Sequence, residues 1–216
     1  MKDKEIRSTF SGELRVVDGP AEGPPLIVGY AAMFGKLSKL IRTENRSNGW
    51  RERVAPGAFS RTLASGEDIF AFVEHSPNHK LGRRSTGTLK LTQDERGLYV
   101  EITPPDTTVG MDAIKEIRRG DLSGWSFGFR AKPSDQTWIR TENDELLREL
   151  HSLDLFEVTL TGAPAYPDST ELALRSVLEP ALTSLEAWEQ QQQRESQAAL
   201  EAEQRLRENR LRLLRG

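Results

Sequence analysis

The chain has 216 residues, 36% hydrophobic and 29% charged, with a formal net charge of −3. That length suits one domain of ordinary size with an appendage, and the near-neutral balance gives no reason to expect general or specific nucleic-acid binding. Cysteine is absent, which excludes disulfides, thiolate metal sites and cysteine catalysis and is compatible with a cytosolic environment.

Met1 to Arg7 lacks the apolar stretch of a secretory signal, and no apolar run in the chain approaches the length of a membrane span. Phe10–Val17 and Leu26–Phe34 read as strands separated by the turn-rich Asp18–Pro25. Gly29 inside the second strand predicts a bend or a close neighbour. Residues 36–49 are polar and read as a loop with a turn at Arg46–Gly49, followed by a short strand Trp50–Val54. A short helix is expected after Pro56, ending at Gly66.

Asp68–His75 is too short for a helix and nearly continuous in apolar residues, so it reads as a buried strand. Alternation puts Ile69, Ala71, Val73 and His75 on one face, with His75 at the open end of the row. A solvent-facing histidine at a strand end fits the same pattern. Only three histidines exist, His75, His79 and His151, so any imidazole chemistry must use one of them. His75 and His79 are four apart, but Pro77 between them argues against a helix, and no acidic third ligand has suitable local spacing. Neither a metal site nor a cofactor is expected.

Leu81–Leu91 leads into a strand that pairs with Arg96–Thr103 across a turn at Asp94–Gly97. A helix starts at Thr107 or Thr108 and runs to Arg119. The basic pair Arg118-Arg119 in its last turn and Gly120 just beyond are stop signals. The chain then enters an alternating strand. Trp125, Phe127 and Phe129 share one face, and Gly124, Ser126, Gly128 and Arg130 share the other. The aromatic face anchors the strand, while the glycines beside Ser126 leave room for an incoming backbone. Ser126 is therefore the candidate nucleophile. Spacing alone also describes an inert strand whose glycines relieve curvature, the commoner case for a serine in a strand.

A polar loop containing Trp138 follows, then a segment Leu146–Thr161 that alternates over its second half. Phe156, Val158 and Leu160 form one face; Leu153, Leu155, Glu157 and Thr159 form the other. Glu157 is an acid in a half-buried row and needs a partner, in the interior or in a surface ion pair. Gly162–Pro167 closes the globular part. From about Thr170 the composition shifts to Ala, Leu, Glu, Gln and Arg, with Pro180 the one breaker. Helix propensity is high but the apolar stripe is thin. This predicts a globular domain over 1–168 and a solvated helical tail over 169–216, locally basic at its end.

A serine, a histidine and a glutamate on three strands are the residues at which the sequence resembles the prohead (procapsid maturation) serine proteases of tailed phages. The likeness covers Val28 to Pro167. It is carried by Gly29-Tyr-Ala-Ala-Met-Phe34, Pro56-Gly-Ala-Phe59, Glu74-His75-Ser-Pro-Asn-His-Lys-Leu-Gly-Arg83, Gly87-Thr-Leu89, Gly97-Leu98, Ile117 to Phe129 and Leu155 to Pro167. The resemblance implies His75 as base, Ser126 as nucleophile and Glu157 as third member. His151 is the alternative third member, since related viral proteases use a second histidine. This chain has Ser76 where the family has Asp, and Trp125 where it has Met, so no role follows for a carboxylate directly after His75.

The implied fold is α+β and mainly β: a closed β-barrel with peripheral helices, like that of the herpesvirus assembly proteases. The implied activity is serine endopeptidase cleavage of the scaffold region of the major capsid protein, and of the protease itself, within the assembling procapsid in the host cytoplasm. A homodimer, as in the herpesvirus relatives, is a state the resemblance allows; a membrane partner is not expected. For the oxyanion, backbone N–H groups in the Arg118–Gly120 turn or at the Gly162 corner are the candidate donors. Two rivals stand beside this reading: a non-catalytic capsid or scaffold assembly module with an inert Ser126, and a metal-dependent hydrolase using His75 and His79.

Overall fold

The computed structural model describes residues 5–9, 13–19, 23–43, 46–162 and 171–213. In chain order the elements are β1 (Glu5–Thr9), β2 (Arg15–Val17), β3 (Leu26–Met33), β4 (Ile41–Thr43), β5 (Arg46–Val54) and α1 (Ser60–Ser65). They continue with β6 (Phe70–Val73), β7 (Ser76–Arg83), β8 (Leu89–Gln93), β9 (Gly97–Ile102), α2 (Thr108–Arg119) and β10 (Gly124–Arg130). The last are β11 (Gln136–Arg140), β12 (Leu146–Leu150), β13 (Asp154–Thr161) and α3 (Glu171–Leu213). The fold is mainly β. The chain divides into two compact units, Met1–Val177 and Leu178–Gly216.

The described strands form three sheets, in the orders β1-β10-β13-β6-β7, β11-β12-β5-β4 and β2-β3-β9-β8. The expected closed barrel is not found among them. At one border, β7 has features that discourage further pairing: Pro77 lacks an N–H, and Asn78, His79 and Lys80 are exposed. In the first sheet β10 is antiparallel to β13, and β13 is parallel to β6.

The aromatic face of β10 explains why that strand is central. Trp125, Phe127 and Phe129 are fully or almost fully buried and join Ile27, Phe59, Leu98, Val158 and Leu160 in one core. Phe59 meets Phe127 edge-on at 5.8 Å between centroids. Gly29 is the close neighbour: a Cβ there would lie 2.6 Å from Trp125 Nε1. Helix α2 stops as expected, with Gly120 at φ 90° and its N–H donating to the carbonyls of Glu116 and Ile117.

Several polar strands escape the sequence pattern. The stretch read as a loop before Trp50 contains β4 and the first half of β5. The turn expected at Arg46–Gly49 is instead strand, and residues 44–45 between the two strands lie outside the described residues. Trp138 sits in β11, packed edge-on at 6.0 Å against Trp50. Leu146–Thr161 is two strands, and the register shifts between the pairs Gly128↔Glu157 and Phe129↔Leu155. That bulge at Phe156 changes the parity, so Leu155 joins Val158 and Leu160 in the core instead of sharing Glu157's face. Phe10, at the start of the first expected strand, and 163–170 also lie outside the described residues. In α3, 43 residues long, Pro180 removes one N–H from the ladder, and Leu200 and Leu206 are exposed. Among the described residues no helix is long and apolar enough to cross a membrane.

A buried ion cluster ties β1 to the second sheet. The Arg148 guanidinium is bidentate to Glu5, at 2.5 and 2.8 Å, bonds Glu52 at 2.9 Å and donates from Nε to Gln136 at 2.5 Å. Arg148 and Glu5 are wholly buried and Glu52 nearly so. Removing one partner of such a cluster strands the others' charge. Arg148→Ala is expected to destabilise the fold by about 3–5 kcal/mol, seen as a lower urea midpoint, with Glu5→Gln in the same chain recovering part of the loss.

A second set acts through pH. Arg61 on α1 reaches Asp135 and Asp154, each at 2.8 Å. The guanidinium hydrogen bond holds the Asp135 carboxyl below the usual carboxylate range. A depressed pKa contributes stability that is fully present above the unfolded value of about 4 and is lost as pH falls through the lower folded value. Asp135→Asn should therefore destabilise at pH 6–7. The gap to wild type should close toward pH 2, as measured by denaturation midpoints across that range.

Candidate functional site

Sheet register sets the first separation. Ser126 on β10 pairs with Thr159 on β13, and Glu157 lies two residues earlier on the same face. Ser126 and Glu157 thus share the face opposite the Trp125–Phe129 anchor. The parallel partner β6 adds Phe70 and Phe72 to that face and puts Ala71 and Val73 on the core side.

Had β6 run on, alternation would have carried His75 to the core side with Val73, as the sequence pattern predicts. The strand instead ends at Val73, and Val73 pairs with Ser76 across a two-residue reversal. Glu74 and His75 have φ of 47° and 54°. Positive φ at both central residues is the sign pattern of a type I′ hairpin turn, a place normally given to Asn or Gly. Each non-glycine residue in this region carries about 1–2 kcal/mol of strain.

The reversal brings the imidazole over to the other two groups. His75 Nε2 lies 2.8 Å from Ser126 Oγ, and Nδ1 lies 2.6 Å from Glu157 Oε1. An ionised carboxylate only accepts hydrogen bonds, so Nδ1 carries the proton and donates to Glu157. In the neutral ring Nε2 then accepts from the Ser126 hydroxyl. Ser126 is fully buried, Glu157 is 4% exposed, and the His75 side chain keeps 17% of its surface open. The Thr159 hydroxyl, wholly buried on the same face, has no hydrogen-bond partner among the described residues.

The remaining candidates fall elsewhere. The His151 ring bonds the Thr137 hydroxyl, and the Nδ1 position where a second histidine would act is held by Glu157. His79 is exposed on β7. Among the described residues no three His, Asp or Glu side chains are grouped to hold a metal ion. The suggested oxyanion donors are engaged: the Gly120 N–H caps α2, and the Gly162 N–H donates to Glu74 Oε1 at 2.7 Å.

Sequence reasoning passed over Glu74. Its Oε2 also accepts from Thr161 Oγ1 at 3.0 Å, and its backbone N–H donates to the Leu160 carbonyl at 2.9 Å. The available signal was an acid between an apolar strand and the candidate base.

A family model described as caudovirus prohead serine protease matches residues 12–181. A comparison with curated proteins gives no match. Among solved structures, the capsid assembly protease of bacteriophage T4 aligns with a TM-score of 0.49 and 11% identity, over 75% of this chain and 98% of that one.

Proposed function

Because the chain belongs to the caudovirus prohead serine protease family, the serine peptidases of capsid maturation, we propose that Ser126, His75 and Glu157 are its catalytic triad. The observation that carries this reading is the unbroken relay of 2.8 and 2.6 Å from hydroxyl to imidazole to buried carboxylate. His75 Nε2 takes the Ser126 proton as Oγ attacks the scissile carbonyl. The imidazolium then gives that proton to the leaving amine, and the amide C–N bond breaks to leave an ester on Ser126. Water, deprotonated by the same nitrogen, attacks the ester and releases the acid, and the proton returns to Oγ. Glu157 keeps Nδ1 protonated throughout and stabilises the charged ring. Ser126 has no solvent-accessible surface here, so a polypeptide reaches it only after a local opening.

In this reading the substrates are the scaffold region of the major capsid protein and the protease itself, cut inside the assembling procapsid in the host cytoplasm. Residues 1–168 carry the chemistry, and the tail 169–216 is the scaffold-docking or self-cleaved part. A closed β-barrel with peripheral helices, of the herpesvirus-protease type, is the fold this reading implies, and a homodimer is the assembly that would go with it.

The test is co-expression with a capsid protein that retains its scaffold region, read by intact mass of both chains. Wild type is expected to shorten the capsid protein, and Ser126→Ala and His75→Ala to leave it whole. A capsid protein left intact by wild type as well would return the chain to a non-catalytic assembly role. Glu157→Gln keeps the shape but loses the charge, and should lower kcat by roughly 10³–10⁴-fold with KM little changed, in a peptide-cleavage assay.

A further inference from the structure

We propose that Glu74 is a positioning residue, a carboxylate clamp that holds the His75 turn in its left-handed form; this rests on the catalytic reading of His75 above. The clamp's two ends are what single it out. One end is the turn itself, where Glu74 and His75 both have positive φ. The other end is Thr161 and Gly162, bonded through Oγ1 at 3.0 Å and N at 2.7 Å. That point is where the strands bearing the other two groups meet: Thr161 pairs with Gly124 at the start of β10, and its carbonyl accepts from the Ser123 N–H at 3.1 Å. Glu74 therefore ties the turn that carries the imidazole to the strand pair that carries Ser126 and Glu157.

The site is built for this contact. Gly162 sits so close to the Asp121 carbonyl oxygen, 2.3 Å from an ideal Cβ, that a side chain there would force the chain away from its place beside Glu74. Glu74 contacts no reacting atom. It bonds Thr161, Gly162 and Leu160, whereas the Nδ1 of His75 is held by Glu157. Its part is to fix where the ring stands, not to share its proton.

That distinction gives the experiment its edge. A glutamine can keep both contacts: its carbonyl accepts from the Gly162 N–H, and its amide donates to the Thr161 hydroxyl, which turns to accept. Full-length variants are assayed on a peptide substrate for kcat, KM and pH profile. Glu74→Ala is expected to lower kcat about 10–100-fold with KM and thermal midpoint nearly unchanged, and Glu74→Gln to retain kcat within about threefold with the wild-type pH profile. Glu74→Gly, which relieves the backbone strain but lacks the clamp, should be as impaired as the alanine variant. Thr161→Val should lower kcat on its own but add nothing to Glu74→Ala, since the two act through one bond.

Wild-type kcat in Glu74→Ala overturns the clamp. So does a Glu74→Gln variant as impaired as alanine or with a shifted pH profile, which would make the charge itself the active element. A loss that follows the thermal midpoint overturns it in favour of a purely structural acid. Ser126→Ala is run beside these variants: cleavage persisting there removes the catalytic reading beneath the proposal, whereas cleavage lost there with Glu74→Ala fully active removes the clamp alone.

Discussion

The arrangement depends on a backbone reversal at Glu74–His75. Sheet register alone delivers a serine and a glutamate to one face, but strand alternation would deliver the histidine to the other. Only a change of hand in the chain corrects this, and it occurs at two residues with side chains and positive φ. Their strain is about 2–4 kcal/mol together. Hydrogen bonds from the Thr161 hydroxyl and the Gly162 N–H to the exposed Glu74 side chain hold the turn in place against it. A turn of Asn and Gly would be easier to form, but it would present no imidazole.

What the reversal positions is held by rigid neighbours. The partner strands are anchored from below by Trp125, Phe127 and Phe129, all buried, so Ser126 has little freedom to drift. Glu157 is likewise fixed on β13, where the bulge at Phe156 lets Leu155 enter the core without turning Glu157 into it. A buried carboxylate without a partner would be driven toward its neutral form. At 2.6 Å from Nδ1 it has the partner it needs, and the same contact fixes the ring's tautomer and plane. Two requirements, satisfying a buried charge and orienting a base, are met by one hydrogen bond.

The parts of this that were legible in the sequence are those written as apolar patterns or breakers. The aromatic alternation from Trp125 to Phe129 marks β10, Arg118-Arg119-Gly120 marks the end of α2, and Asp94–Gly97 marks the β8–β9 hairpin. The illegible parts are polar strands and local departures from alternation. β4, the first half of β5, β7 and β11 carry too few alternating apolar residues to announce a strand, and are set by pairing with the neighbouring strand in the chain. The bulge at Phe156 and the turn at Glu74 each change parity by a backbone feature that no side-chain pattern records. Ser126, His75 and Glu157 could be nominated individually, but the route by which His75 reaches the other two could not be read, because its strand was expected to continue.

Chemistry and access are separate problems in this protein. The hydrogen-bond relay is already at working distance, so nothing in the three side chains awaits assembly. Yet the hydroxyl is fully enclosed, so a polypeptide cannot reach it in this conformation. In the proposed mechanism the free energy of opening adds to every turnover, however well the relay is set. Substitutions in the proposed triad and clamp should then act on the chemical step, while substitutions that loosen the enclosure act on the fraction of molecules open.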